Sequence, residues 1–447
     1  MKKMLVVCAT AMAAQASPAL SQEVPQNTPA PYNCDFQPSC EVAPGIYGKM
    51  GAPASSKFNL SIGGFVKLDY AYNSVNLGAN GALGSLQNGI PKRSSPAGDQ
   101  DQSIFTARQS RFWLKVAGPA FLGAKTGAII EADFYGAGGS NESANMRLRL
   151  ANGTLNWTNT QILFGQAYDI FGPAIASTID FGSGNKTGTP NNPRVPQISV
   201  TRKVTLSAEN ALKLVVGVQN PVQDSNLQSD TTADRWGAAP NVAAQAMLVS
   251  KALGVAPGYF GLPMNSLTAG FFGLYGNQDV GGNNDSVDSY GYGFYTFVPL
   301  LKSSDGRNRA MTASFEGQLY RAANMSVNGA TAATLVGPVG NQSAAKGYGL
   351  YGQVIFFPTQ ELGVTAGYGK RNADDYGSYS GMANFEKSNS HLYANVSYDL
   401  NAAVRVAVEY QNLHTKYGNV VSGAGNLAGT ASTGTAHVGR VAAFYFF

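Results

Sequence analysis

Ala436-His437-Val438-Gly439-Arg440-Val441-Ala442-Ala443-Phe444-Tyr445-Phe446-Phe447 ends the chain and governs how the rest of it is read. Counted back in twos from Phe447, the residues Tyr445, Ala443, Val441 and Gly439 are apolar or small, and in a strand such positions share one face. Arg440 falls on the other face. An apolar side opposite a polar one, finished by an aromatic residue, is what a strand with lipid on its outside and water on its inside requires. A last strand of this kind is placed to pair with the first and leave no open edge. The pattern predicts an all-β transmembrane barrel in a bacterial outer membrane; a soluble edge strand ending in Phe is the alternative.

The amino terminus agrees. Lys2 and Lys3, the charge-free run from Met4 to Ala14 and the small residues of Ala19-Leu20-Ser21 read as a signal peptide over residues 1–21. Cys8 lies inside its apolar run and lacks a lipoprotein context. Cys34 and Cys40, with five residues between them, are expected to form one small disulfide loop in an oxidising periplasm. Two cysteines are too few for a zinc site of the usual kind, so no metal is expected. Residues 22–57 carry Pro25, Pro29, Pro31, Pro38, Pro44 and Pro53 without periodicity and read as an extended periplasmic leader. The barrel is assigned to residues 58–447.

Composition narrows the class further. No run of 18 or more apolar residues occurs, which argues against helical spans. Charged residues make up 13% of the chain, where about 25% is usual for a soluble protein. Gly (53), Tyr (22) and Phe (22) fill the difference, as lipid-facing walls and aromatic girdles would. A secreted Gly-rich β-sandwich is the competing class. Without Lys2 and Lys3 the net charge drops from +5 to +3, too little to indicate a partner.

Alternating segments predict sixteen strands near 58–73, 102–118, 121–135, 144–157, 160–168, 195–204, 210–219, 235–251, 264–276, 287–301, 307–322, 345–358, 359–372, 385–399, 402–415 and 434–447. Tight connections at Gly118-Pro119-Ala120, Asn156–Asn159, Lys302–Gly306, Pro358-Thr359 and Asp399-Leu400-Asn401 alternate with long Gly-, Asn- and Ser-rich ones. Short periplasmic turns alternating with long extracellular loops is the outer-membrane barrel pattern. Leu253 to Pro263 is long for a tight turn, which leaves eighteen strands open.

The alternation also assigns faces. Phe112, Leu114 and Val116 point outward with Arg111 and Lys115 inward. Ala128, Ile130 and Ala132 point outward with Lys125, Glu131 and Asp133 inward, and Leu148 and Leu150 outward with Arg147 and Arg149 inward. A lysine or arginine facing lipid at the midplane costs about 2–4 kcal/mol, which fixes this register. Lys67, Asp69, Arg371, Arg405, Glu409 and Arg440 fall inward elsewhere. Two readings stand: a basic ladder drawing anions through the pore, or a wall neutralised internally by Glu131 and Asp133. The long loop from Asp169 to Arg194, which also carries Asp180 and Lys186, is placed to fold inward and narrow the lumen. Asp169 and Asp180 would then face Arg111, Arg147 and Arg149 across it. A loop that merely caps the mouth is the alternative.

The stretches Phe105-Thr-Ala-Arg108-Gln109-Ser110-Arg111, Glu131-Ala-Asp133-Phe134, Arg147-Leu-Arg149-Leu-Ala and Gly165-Gln166-Ala-Tyr-Asp-Ile-Phe171 resemble the first third of the DcaP-like family of outer-membrane porins. The resemblance implies a sixteen-stranded trimeric porin that takes up small, often negatively charged organic molecules such as dicarboxylates, with Arg111, Arg147 and Arg149 as its basic wall. Members can carry a coiled-coil leader; residues 22–57 have no heptads, so trimer formation would rest on the barrel wall. The expected partners are outer-membrane lipid, small anionic solutes and two further copies of the chain, with no cofactor and no nucleic acid.

Enzyme readings find little support. His391, His414 and His437 are the only histidines, and none has a Ser or Asp at a diagnostic spacing. Gly347-Tyr-Gly349-Leu-Tyr-Gly352 fits G-x-G-x-x-G but lies inside an alternating strand with no helix to follow. A passive diffusion porin with anion preference is the expected function. A non-selective or cation-preferring porin, allowed by Asp69, Glu131, Asp133, Glu316 and Glu409, is the second reading, and an outer-membrane hydrolase a remote third.

Overall fold

The computed structural model describes residues 58–78, 89–136, 138–181, 187–189, 194–220, 239–261, 263–280, 285–325, 329–333, 335–337 and 343–447. Residues 1–57, with the signal segment, the leader and Cys34 and Cys40, lie outside the described residues, as does Lys186. The described chain is built on one antiparallel sheet closed on itself, with a separate two-stranded pairing of Leu335–Val336 and Ser343–Ala344. Its first half is β1 (Asn59–Asn73), β2 in two pieces (Gln102–Thr106 and Arg111–Ala117), β3 (Lys125–Asp133), β4 (Arg147–Asn156), β5 (Thr160–Tyr168), β6 (Arg194–Thr205), β7 (Asn210–Gln219) and β8 (Asn241–Pro257). Its second half is β9 (Met264–Val280), β10 (Asp285–Leu301), β11 (Thr312–Ala323), β12 (Lys346–Phe357), β13 (Leu362–Asp374), β14 (Phe385–Asp399), β15 (Val404–Gly418) and β16 (Thr433–Phe446). Each strand pairs with its sequence neighbours, and β16 returns to β1 from Phe65 opposite Phe446 to Asn73 opposite Val438. Both pieces of β2 pair with β1, so they form one wall strand and the barrel has sixteen.

The doubtful stretch from Leu253 to Pro263 is resolved by a bulge. Opposite β9, the register jumps from Ser250 to Val255, so residues 251–254 are accommodated within β8 instead of starting another strand. The third strand starts at 125, later than expected. Phe121 and Ala124 bridge across Leu122 and Gly123, both at positive φ, and turn the chain there. A second bulge corrects a face assignment. Opposite Glu131 and Ala132 the partners are Leu150 and Leu148, with Arg149 as the extra residue, and Leu150 is buried on the inner side instead of facing out. The carbonyls of Leu148 and Arg149 are met there by the outward-facing Gln166 side chain at 3.3 and 3.1 Å.

Elsewhere the alternation holds. Val66, Leu68, Tyr70, Val406, Val408, Val441 and Tyr445 are exposed on the outside, while Lys67, Asp69, Arg405, Glu409 and Arg440 are buried inside. Polar and charged side chains gather within the lumen because the apolar band outside has no water to solvate them. Near the short-turn end Asp399 accepts from Arg405 at 2.6 Å and from Arg309 at 2.9 Å, all three buried.

Closure rests on Gly64, whose N–H donates to the carbonyl of Phe447 at 3.0 Å and whose carbonyl accepts from Phe447 N–H at 3.1 Å. A Cβ at Gly64 would stand 2.3 Å from the Arg111 carbonyl oxygen and 2.8 Å from the Phe447 ring. Gly64→Val is therefore expected to destabilise the barrel by about 1–3 kcal/mol, the usual cost of overpacking. The temperature at which the folded band is lost on a detergent gel should fall, and an unchanged temperature would contradict this account of closure. Asp399→Asn leaves two buried guanidiniums without their carboxylate and is expected to cost about 3–5 kcal/mol. The urea midpoint in micelles reads this change, and no shift would show that the triad adds nothing.

Candidate functional site

A backbone lying inside a barrel has lost its water and needs other partners. The loop that follows β5 folds into the lumen, as one of the two readings expected, and inward side chains of successive strands supply those partners. Gln197 on β6 donates to the Tyr168 carbonyl at 2.7 Å, Gln219 on β7 to the Asp169 carboxylate at 2.7 Å and Gln245 on β8 to the Ile170 carbonyl at 3.0 Å. Farther round, Gln318 on β11 accepts from Ala174 N–H and donates to the Gly188 carbonyl, both at 3.0 Å. Gln353 on β12 accepts from Ser177 N–H at 3.0 Å and donates to the Ile175 carbonyl at 3.2 Å. Asn395 on β14 donates to Ser177, Glu409 on β15 accepts from Ile179 N–H at 2.7 Å, and Lys67 on β1 donates to the Ile179 carbonyl at 2.6 Å.

An amide suits this task because it donates and accepts at once. The loop therefore follows the inner wall from β6 round to β1. Behind it sits an apolar cluster that the sequence reading did not anticipate. Phe171 packs edge-to-face on Phe272 and Tyr320, and Met247, Phe297, Tyr351 and Tyr393 complete the cluster. These inward aromatics break the rule that a pore wall is polar, because the loop and not water covers them.

The loop ends against β2, where Gln109 donates to the Asp180 carbonyl and Arg111 lies over the Phe181 ring at 5.4 Å, and charged side chains gather on the wall from β2 to β5. There Arg149 reaches Glu131 at 2.5 Å, Asp133 at 2.9 Å and the Tyr168 hydroxyl at 2.8 Å. Arg147 pairs with Asp133 at 2.6 Å, and Arg111 approaches Glu131 at 3.7 Å. Arg194, at the end of the loop, stacks over the Tyr168 ring at 5.9 Å and shares its electrostatic surroundings with Arg149, Arg147 and Asp133. Three guanidiniums thus hold two carboxylates, with Arg194 within electrostatic reach of Asp133. Adjacent antiparallel strands set Asp133 opposite both Arg111 and Arg147, so the basic side chains of this wall stand beside the carboxylates that the neutralised-wall reading named.

Asp180 lies 3.5 Å from Arg440 on β16 and accepts from Thr178, while Asp169 accepts from Gln219 on β7. Arg440 also reaches Asp69 at 3.4 Å, and Asp69 pairs with Lys67 at 2.8 Å.

Toward the short turns the inner wall opens to solvent. Lys125 on β3 is exposed, Lys115 on β2 is half-buried beside Trp113, and Asn152, Thr154 and Thr201 are half-buried. Lys203 and Lys213 face each other across β6 and β7, and Lys251 in the β8 bulge lies within electrostatic reach of Lys203. Lys203, Lys213 and Lys251 escaped the sequence reading; the inward parity of the first two was the available signal. His391 is buried and stacked on Tyr393 at 5.0 Å, and the G-x-G-x-x-G stretch is part of β12. Among the described residues no group of three or more His, Cys, Asp or Glu is arranged to hold a metal.

No family model matches the chain, and no curated protein matches it. Among solved structures, the outer membrane channel DcaP of Acinetobacter baumannii superposes with a TM-score of 0.65 at 19% identity, over 89% of this chain and 99% of that one. An anion-selective porin of Comamonas acidovorans gives 0.51 at 10% identity, over 88% of this chain and 100% of that one. OmpT of Vibrio cholerae in a trimer form gives 0.50 at 12%, over 88% and 100%. The chain has the fold of these outer-membrane channels, in accord with the resemblance read from Phe105–Arg111 and the stretches after it.

Removing two amides of the clasp should loosen the loop. In Gln318→Leu plus Gln353→Leu the N–H groups of Ala174 and Ser177 lose their acceptors, at about 1–3 kcal/mol each. Single-channel conductance in planar bilayers is expected to rise with added current noise, and conductance identical to wild type would show that the clasp does not hold the constriction.

Proposed function

We propose that the chain is an outer-membrane porin, assembled as a homotrimer, through which small hydrophilic solutes diffuse passively with preference for anionic organic molecules such as dicarboxylates. The observation that carries the preference is the excess of guanidinium over carboxylate on the β2–β5 wall: Arg111, Arg147 and Arg149 against Glu131 and Asp133, with Arg194 within electrostatic reach. In a narrow, poorly solvated passage a charge excess of one sign admits the opposite ion and repels its own. Lys125, Lys203 and Lys251 continue that sign toward the short turns. An anion leaving the arginines therefore meets further weak contacts instead of a single deep trap, as conduction requires.

The inward carboxylates that favoured a cation-preferring pore are engaged. Asp69 pairs with Lys67 and Arg440, Glu316 accepts from Tyr295 and Gln353, and Glu409 holds the loop. Passage of this kind forms and breaks no covalent bond, so the reading assigns no catalytic residue and no cofactor.

The reversal potential under a KCl gradient tests it. Wild type is expected to favour chloride, and Arg147→Ala plus Arg194→Ala, which leaves two guanidiniums for two carboxylates, to fall toward parity. Potassium preference in the wild type, or chloride preference untouched in the variant, would sink the assignment of anion preference to this cluster. Three-step conductance levels would accompany a trimer.

A further inference from the structure

On β13 to β16 the outer face changes from apolar to basic within one repeat of the pleat. One row across the four strands is Tyr368, Leu392, Asn412 and His437. The next row toward the long loops is Lys370, Ser390, His414 and Thr435, and the one after it Asn372, Ser388, Lys416 and Thr433. Below these rows the outward residues Tyr368, Leu392, Tyr410 and Val441 are large and exposed, as a lipid band demands. Ser390 precedes Leu392 by two residues, roughly 7 Å along the strand, so the basic rows stand where hydrocarbon gives way to headgroups.

The charges there are not neutralised by neighbours. Asp374 is engaged by Arg321, and Glu386 by the inward Arg371. Lys387 lies over the Tyr376 ring at 4.3 Å. Among the described residues no carboxylate stands within ion-pair distance of Lys370 or Lys416, while His414 lies within electrostatic reach of both and shares a hydrogen bond with Thr435 at 2.9 Å. Two lysines on strands about 10 Å apart, flanking a column of hydroxyls, offer both positive charge and hydrogen-bond donors.

We propose that this patch binds the phosphate groups of phosphorylated lipid headgroups in the outer leaflet. The assignment rests on the chain being a barrel embedded in the outer membrane. Phosphate supplies the charge that the patch lacks, and the apolar rows beneath supply contact for the acyl chains of the same molecule, which a free anion could not use.

The test compares wild type with Lys370→Gln plus Lys416→Gln in dodecyl maltoside micelles, titrated with bisphosphorylated lipid A, its dephosphorylated form and inorganic phosphate. Wild type is expected to bind the bisphosphorylated lipid at least tenfold more tightly than the variant, with the difference vanishing at high salt and with inorganic phosphate failing to compete. Equal binding by the variant, or equal binding of the dephosphorylated lipid, would overturn the proposal. Competition by inorganic phosphate at matched concentration would make the site one for free anions and overturn the lipid assignment. Both lysines face away from the lumen, so conductance and the heat-modified gel band should match wild type and verify folding. Absence of any channel with lipid binding intact would defeat the porin reading while leaving this one standing.

Discussion

The architecture depends on one constraint: a main-chain N–H or C=O in hydrocarbon has no water to turn to. A sheet satisfies that constraint only by closing, and here β1 meets β16 through reciprocal bonds between Gly64 and Phe447. Gly64 tolerates the approach because it has no side chain to push against the Arg111 carbonyl. The bulge at Arg149 obeys the same constraint. Carbonyls displaced from the regular ladder are recovered by Gln166, a polar residue on the outer face that would otherwise be out of place.

Inside the barrel the constraint returns in another form. A loop laid across the lumen buries its own backbone, and the wall answers with Gln197, Gln219, Gln245, Gln318, Gln353 and Asn395, spread over six strands. The clasp fixes which wall the loop covers and which stays open. It also explains the buried aromatics around Phe171, which have the loop and not water in front of them. The path of the loop through the lumen is in this sense a consequence of hydrogen bonding.

Much of this was legible in the sequence because its signals are local. Each of the sixteen expected strands overlaps an observed one, with ends that differ by several residues at the third and eighth, and the inward assignment of Lys67, Asp69, Arg405, Glu409 and Arg440 holds. A period of two together with the cost of a charge in lipid leaves little freedom in register. Leu150 went astray because a bulge inserts one residue, and one residue reverses the face.

The sequence by itself determined the strands, their alternation of faces, the short and long connections and the supply of charge to the inner wall, since each depends on residues a few positions apart. Only the tertiary structure decided which charges meet. Glu131 and Asp133 bind arginines on neighbouring strands, Asp180 reaches Arg440, and Asp399 is shared by Arg309 and Arg405. These pairings follow from strand register, bulges and the path of a loop through the lumen. Coulomb attraction between two side chains depends on their separation in space, and separations of this kind exist only once the barrel has closed.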